Sequence, residues 1–211
     1  NDGLVSIEYR VFSYCDSLSN ITIPNSVMSI GKEAFRNCCN LSNVTIPKSV
    51  TTIGYNAFFD CGLLRSITLG DGLETIGIGA FSGCISLENI SFGTNLKLIG
   101  KDAFSRCKAI KKIVANASVP PTCSNGALDD INKETCILQV PTEKVDVYKA
   151  TTPGSEFFKI SSIETGIKGL AIDGVTETER FTIGGSRINA PQKGINIVRR
   201  SDGTVRKVLL K

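Results

Sequence analysis

The chain has 211 residues, 41% of them hydrophobic and 21% charged, the composition of a folded protein and not of a disordered one. Histidine is absent, which removes the commonest general base and the commonest metal ligand together, and tryptophan is absent too. Lysine and arginine outnumber aspartate and glutamate by 24 to 20, too small an excess to predict nucleic-acid binding. No segment reaches the roughly 18–20 apolar residues that a membrane helix needs.

From the first residues a period of 23 governs the chain. Phenylalanine recurs at Phe12, Phe35, Phe58, Phe81 and Phe104. Cysteine follows three places later at Cys15, Cys38, Cys61, Cys84 and Cys107, and then Leu18, Leu41, Leu64, Leu87 and Ile110. An alternating apolar pair comes next (Ile21/Ile23, Val44/Ile46, Ile67/Leu69, Ile90/Phe92, Ile113/Ala115), then Ile-Gly at Ile30–Gly31, Ile53–Gly54, Ile76–Gly77 and Ile99–Gly100. Five repeats in one register predict a solenoid whose coils bury their apolar residues against one another as columns of like side chains.

Within a coil, Leu41-Ser-Asn-Val44-Thr-Ile46 reads as a strand with Val44 and Ile46 inward and Asn43 and Thr45 outward. Pro24, Pro47, Gly70 and Gly93 end these strands. The Ala-Phe-x-x-Cys-x-x-Leu stretch, with apolar residues three apart, predicts helical or 3₁₀ structure on the opposite side. Column stacking also sets the reading of the cysteines, because parallel side chains do not point at each other as a disulfide requires. They are expected to be free, buried, small apolar fillers. Cys39 falls outside the column, near the surface, and a bridge between Cys123 and Cys136 is left open.

Asp2-Gly-Leu-Val-Ser-Ile7 aligns with Asp71-Gly-Leu-Glu-Thr-Ile76, so the chain begins in register without a Met, and a leader or further coils are expected upstream. Glu8 stands at the place of Gly31, which implies that glycine is not strictly demanded there. After residue 116 the pattern loosens. Ala127-Leu128 stands for Ala103-Phe104, and Leu138-Gln-Val140-Pro141 closes a sixth coil. A short helix over Glu143 to Ala150 follows, and Phe157, Phe158, Ile160 and Ile163 are expected to cover the open end. Residues 165–211 lose the period. Ile195–Arg199 and Val205–Leu210 flank Ser201-Asp202-Gly203-Thr204 as a hairpin, and Phe181–Ile183 with Arg187–Ile188 suggests a second. The predicted division is therefore 1–116, five regular coils; 117–164, a degenerate coil and cap; and 165–211, a small all-β module.

Ile53-Gly-x-x-Ala57-Phe58-x-x-Cys61-x-x-Leu64-x-x-Ile67 closely resembles the Treponema-type, or BspA-like, leucine-rich repeat. That resemblance implies an α/β solenoid, a right-handed superhelix of 23-residue coils with a parallel sheet on one face. It also implies a secreted or cell-surface bacterial protein of adhesion type, binding a protein or glycan on a host or neighbouring cell. The tail, Gly184-Gly185-Ser-Arg-Ile188…Lys193-Gly194-Ile195…Val208-Leu-Leu-Lys211, resembles C-terminal modules of secreted Bacteroidetes proteins and is shorter than their sorting domains.

Catalytic and metal chemistry find little support. Cysteines 23 apart do not form a zinc set, no base accompanies a thiol nucleophile, and Asp129-Asp130 reads as a solvated turn. Gly77/Gly79 lacks a phosphate-loop pattern, and the sequons at Asn20, Asn43 and Asn89 arise automatically from the repeat. No enzyme, metal or cofactor is expected. Two surface columns remain as candidates. One is the strand face: Asn20/Thr22, Asn43/Thr45, Ser66/Thr68, Asn89/Ser91 and Lys112/Val114, a flat ribbon of amides and hydroxyls. The other is Tyr9, Lys32, Tyr55, Ile78 and Lys101, where Tyr55 and Ile78 with Phe59, from the adjoining Ser13/Arg36 column, are expected to form an apolar patch. Against a binding module stands the alternative of a structural spacer or assembly unit without a ligand of its own.

Overall fold

The computed structural model describes residues 3–152, 154–163, 177–182, 187–188, 194–200 and 205–210. The chain divides into two compact units, 1–163 and 164–211.

The first unit is a parallel-strand solenoid with two sheets. One contains two-residue strands β1 (Ser6–Ile7), β2 (Ser29–Ile30), β4 (Thr52–Ile53), β6 (Thr75–Ile76), β8 (Leu98–Ile99) and β10 (Thr122–Cys123), paired in that order. The other contains four-residue strands β3 (Asn43–Ile46), β5 (Ser66–Leu69), β7 (Asn89–Phe92), β9 (Lys112–Ala115), β11 (Ile137–Val140) and β12 (Lys159–Ser162). Every neighbouring pair within these two sheets is parallel, and Asn20 adds a single bridge to Asn43 at the edge. The alternation appears as read: in β3 Asn43 and Thr45 are exposed while Val44 and Ile46 are buried. The second sheet goes beyond the one-sheet reading. Its signal was the Ile-Gly pair, in which isoleucine enters the core and glycine turns the chain.

In the regular coils that place leaves no room for a Cβ, although the looser sixth coil has Ser124 there. A Cβ on Gly54 would lie 2.7 Å from the carbonyl carbon of Gly31, and one on Gly31 would lie 2.8 Å from the Ile7 carbonyl oxygen. The demand comes from the backbone of the preceding coil, which is why Glu8, in the first coil of this sequence, gave no sign of it.

The expected helical side is instead a run of tight turns. Bonds three residues apart, such as Cys38 N–H to Phe35 O and Leu41 N–H to Cys38 O, alternate with residues of positive φ that stop any helix. Two such positions occur in each coil: Arg10, Glu33, Asn56, Gly79 and Asp102 at the first, Tyr14, Asn37, Asp60, Gly83 and Arg106 at the second. The turns hold because they pair along the axis. Glu33, Phe35 and Asn37 donate their N–H groups to Tyr55, Ala57 and Phe59 of the next coil, and the same trio recurs from coil to coil. This third ladder satisfies backbone groups that a lone turn would leave unpaired.

Inside, Phe12, Phe35, Phe58, Phe81 and Phe104 stack face to face with ring centroids 4.9–5.2 Å apart and planes within 9° of parallel. All eight cysteines are free, including Cys123 and Cys136, so no bridge joins that pair. The column is more than filler. Cys38, Cys61, Cys84 and Cys107 each donate the thiol proton to the carbonyl of the Phe in the preceding coil, at 3.0–3.3 Å.

At the C-terminal end, 3₁₀ turn Thr142–Lys144 and helix α1 (Val145–Lys149) cross the last regular coils, and the Tyr148 hydroxyl donates to the Ala117 carbonyl at 3.0 Å. Residues 159–162 do not merely cover the end but add a further parallel strand. Phe157 is buried, whereas Phe158 is 78% exposed, contrary to expectation; the chain bends at Phe158 just before the strand begins, and its ring is left outside the core. A small apolar hollow of about 30 Å³ remains between coil and cap, lined by Phe92, Leu128, Leu138, Tyr148 and Phe157 among others. It opens where Leu128 replaces phenylalanine in the aromatic column.

In the second unit, β13 (Glu177–Thr182), β14 (Gly194–Arg200) and β15 (Val205–Leu210) form an antiparallel sheet with β14 in the middle. The weaker hairpin is present as a bridge between Phe181 and Arg187, while Ile183 to Ser186 lie outside the described residues.

Candidate functional site

The strand-face residues come together as two parallel rows. Asn20, Asn43, Ser66, Asn89 and Lys112 stand side by side, and Thr45, Thr68, Ser91 and Val114 run beside them in register. Asn20, Thr22, Asn43, Thr45, Thr68 and Asn89 are exposed, and Ser66 and Ser91 are half-buried. Within the first row Ser66 donates to Asn43 Oδ1 at 3.0 Å, which leaves the Asn43 amide hydrogens near Ser42. The rows carry no charge before Lys112. Strand spacing puts successive ranks about 4.8 Å apart. Chemically the surface is a flat array of neutral donors and acceptors.

Tyr55 and Phe59 lie on a different face, that of the turns. Tyr55 and Ile78 are 45% and 50% exposed, as expected of a patch, but Phe59 is half-buried and is not a free apolar surface. The Arg36 guanidinium lies 5.0 Å from its ring centroid and that of Arg106 5.2 Å, one reaching from each direction along the solenoid. Arg106 arrives there because Gly83 has no side chain. It passes over that coil and pairs with Asp60, two coils away, Nη2 to Oδ1 at 2.7 Å. Asn56 Oδ1 similarly occupies the place of a Cβ at Gly79, and Asp102 Oδ1 that at Gly126.

A second cation–aromatic stack begins in the first coil. Arg10 sits 5.0 Å from the Tyr9 ring, and the Lys32 ammonium lies between Tyr9 at 5.6 Å and Tyr55 at 5.3 Å. Beneath it Glu33, 3% exposed, receives Arg10, with Arg36 at 3.5 Å and Lys32 at 3.8 Å. Burial opposes the charge on Glu33, but the Arg10 hydrogen bond and the fields of Arg10, Arg36 and Lys32 outweigh it and hold the carboxyl below its ordinary value. Sequence reading named Lys32 and Arg36 only as column members. Their convergence had no periodic signal, because the turn columns hold a different residue type in each coil.

Burial pushes Cys38 and Cys136 up to about 11, and Cys61 and Cys84 higher still. Asp130 of the Asp129-Asp130 pair is occupied with the Arg106 amide and the Ser105 hydroxyl. Among the described residues, no helix is long and apolar enough to cross a membrane.

Two parallel sheets, stacked phenylalanines and a turn face repeating every 23 residues define a leucine-rich-repeat solenoid. The model of the BspA-type leucine-rich repeat region matches residues 5–125 in six copies, and the chain belongs to that family. Among solved structures it is similar to the leucine-rich repeat protein of T. pallidum, at 26% identity and TM-score 0.54 over 66% of this chain and 68% of that one. It is also similar to a Bacteroides ovatus leucine-rich repeat protein, at 22% identity and TM-score 0.45 over 77% and 53%. A third similar structure is a leucine-rich cell surface protein of Faecalibacterium prausnitzii, at 18% identity and TM-score 0.32 over 89% and 55%. No curated protein matches the sequence significantly.

Proposed function

We propose that the chain is a non-enzymatic binding module of adhesion type, exported by its bacterium to the surface or the medium, whose strand face recognises a protein or glycan on a host or neighbouring cell. The observation that supports this reading is the pair of in-register rows from Asn20/Thr22 to Asn89/Ser91, uncharged, largely exposed and set on a rigid sheet. Preset donors and acceptors at strand spacing lose little entropy on meeting a hydroxylated or peptide ligand. Family membership agrees with an interaction role. The test is a binding screen against host matrix proteins and mucin or plant glycans, comparing the parent with Thr45→Lys/Thr68→Glu. That pair of opposite charges sits side by side on the sheet, so the fold and net charge are kept while the neutral rows are broken. Specific binding lost in the double variant is the expected result. Binding untouched by it removes the strand face from the proposal. A chain that binds nothing and self-associates through 165–211 is a structural spacer.

A further inference from the structure

Toward β12 the strand face changes character. Its first row continues from Asn89 through Lys112, Ile137 and Lys159, and its second from Ser91 through Val114, Gln139 and Ser161. Ile137 is 39% exposed, Lys159 and the preceding Phe158 are exposed, and Lys112 and Val114 are half-buried. From Asn20 to Ser161 neither row holds an aspartate or a glutamate. Among the described residues Lys112 and Lys159 form no ion pair, while Lys111 binds Glu88 and Lys133 binds Glu156, each at 3.2 Å. Glu134, Glu143 and Asp146, on the segments either side of β11, pair with neither lysine among the described residues. The two free cations stand in one register with Ile137 between them. They are two ranks apart, about 9.6 Å at strand spacing, which is the span of roughly three residues of extended chain. A lysine on an outermost strand also hinders edge-to-edge pairing, which accounts for Lys159. It does not account for Lys112, whose strand is paired on both sides, or for the isoleucine left exposed between two lysines.

We propose that this end of the strand face binds an acidic peptide segment of a partner protein, with two carboxylates three residues apart and an apolar side chain between them. The inference rests on the reading of the strand face as the binding surface and names the partner for its C-terminal half. Charge complementarity selects an acidic ligand, since the two rows offer cations and no carboxylate. Ile137, Val114 and Phe158 select a polypeptide, because a sugar brings no aliphatic or aromatic side chain to cover them. Asn89 and Ser91 carry the rows onward with neutral groups that suit the amides of a main chain. The chain's own tail has the wrong sign for this place, with nine basic against four acidic residues in 165–211.

The experiment pans a display library of random linear peptides on the full chain at low salt, then measures the enriched peptides by fluorescence anisotropy at about 50 and about 200 mM salt. Lys112→Gln/Lys159→Gln removes both cations, and Ile137→Ser removes the apolar contact between them. Lys101→Gln/Lys108→Gln takes the same charge from exposed positions on the turn face and serves as the control. Expected are peptides with Asp or Glu three residues apart around an aliphatic or aromatic residue, bound more weakly at the higher salt. Lys112→Gln/Lys159→Gln should weaken them at least about ten-fold and remove most of the salt dependence. Ile137→Ser should weaken them without changing the salt dependence, and the turn-face variant should bind like the parent. No enriched peptide, enriched peptides without paired acids, or binding unaffected by Lys112→Gln/Lys159→Gln overturns the proposal. Polygalacturonate held as tightly as the best peptide, through the same lysines, overturns the choice of a peptide. In each of these cases a ligand from the matrix and glycan screen that is lost in Thr45→Lys/Thr68→Glu leaves the strand-face reading standing.

Discussion

Alkali should unfold this protein through its thiols. Cys38, Cys61, Cys84 and Cys136 are fully buried, and burial raises all four: Cys38 and Cys136 reach about 11 from an ordinary 9.0, and Cys61 and Cys84 go higher. Between pH 9 and 11 the unfolded chain has released these protons and the native chain has kept them. The native state then binds more protons, so stability is full below pH 9 and falls as pH rises. Each deferred thiol costs about 1.4 kcal/mol per pH unit in that window. Four of them remove roughly 5 kcal/mol between pH 8 and 10, much of the 5–15 kcal/mol that domains typically have. Urea unfolding under a non-thiol reductant, repeated from pH 7 to 10.5, reads the slope directly. Because burial also pushes Tyr148 up, to about 12, Cys84→Ala provides the control and should flatten the slope by about one thiol's share. A midpoint unchanged from pH 8 to 10, or more native thiols reacting as fast as free cysteine than Cys39, Cys15 and Cys123 account for, would refute the reasoning.

Phe58→Ala opens the middle of the ring stack and should cost roughly 3–5 kcal/mol in urea unfolding, with folding still cooperative. Gly54→Ala sets a Cβ against the Gly31 backbone, which has no side chain to move, and should lower stability by about 1–3 kcal/mol in the same assay. Leu128→Phe extends the aromatic column into the hollow beside Phe157, and a thermal melt should show a gain of about 0.5–2 kcal/mol. A loss there would mean that Leu138 and Tyr148 close the space too firmly to accept a ring.

The interior was legible in the sequence because every column repeats an apolar residue at one place, and the Phe and Cys columns repeat the same one through five coils. Phe58 predicts Phe81, and Val44 with Ile46 predicts which way Thr45 points. Where the physics is carried by backbone, reading went less far. The spacing of Ala57, Phe58 and Cys61 looks helical, yet positive φ at Asn56 and Asp60 breaks the helix, and only the bonds to the neighbouring coil make that conformation stable. The thiol protons bonded to the Phe carbonyls were hidden for another reason. A buried cysteine that fills space and one that donates leave the same mark in a pattern of apolar residues. The strand-face rows were found by alternation alone. The cation stacks were missed because Arg106 meets Asp60 across 46 residues and meets Phe59 through a gap that exists only because residue 83 is glycine.

Gly79, Gly83 and Gly126 show that the coils, alike within, are not interchangeable without. Each follows an Asx residue one coil earlier whose side-chain oxygen takes the space a Cβ would need. The outer turns thus have a reading order: a coil bearing Asn56 and Asp60 accepts as its successor one with glycine at both places. Excising residues 77–99 as a unit would leave the aromatic and thiol columns in register. It would also bring Asp102 and Arg106 directly above Asn56 and Asp60, whose side chains would have to swing aside. Removing or adding a coil here is therefore constrained by the turns of its neighbour and not by the core columns alone.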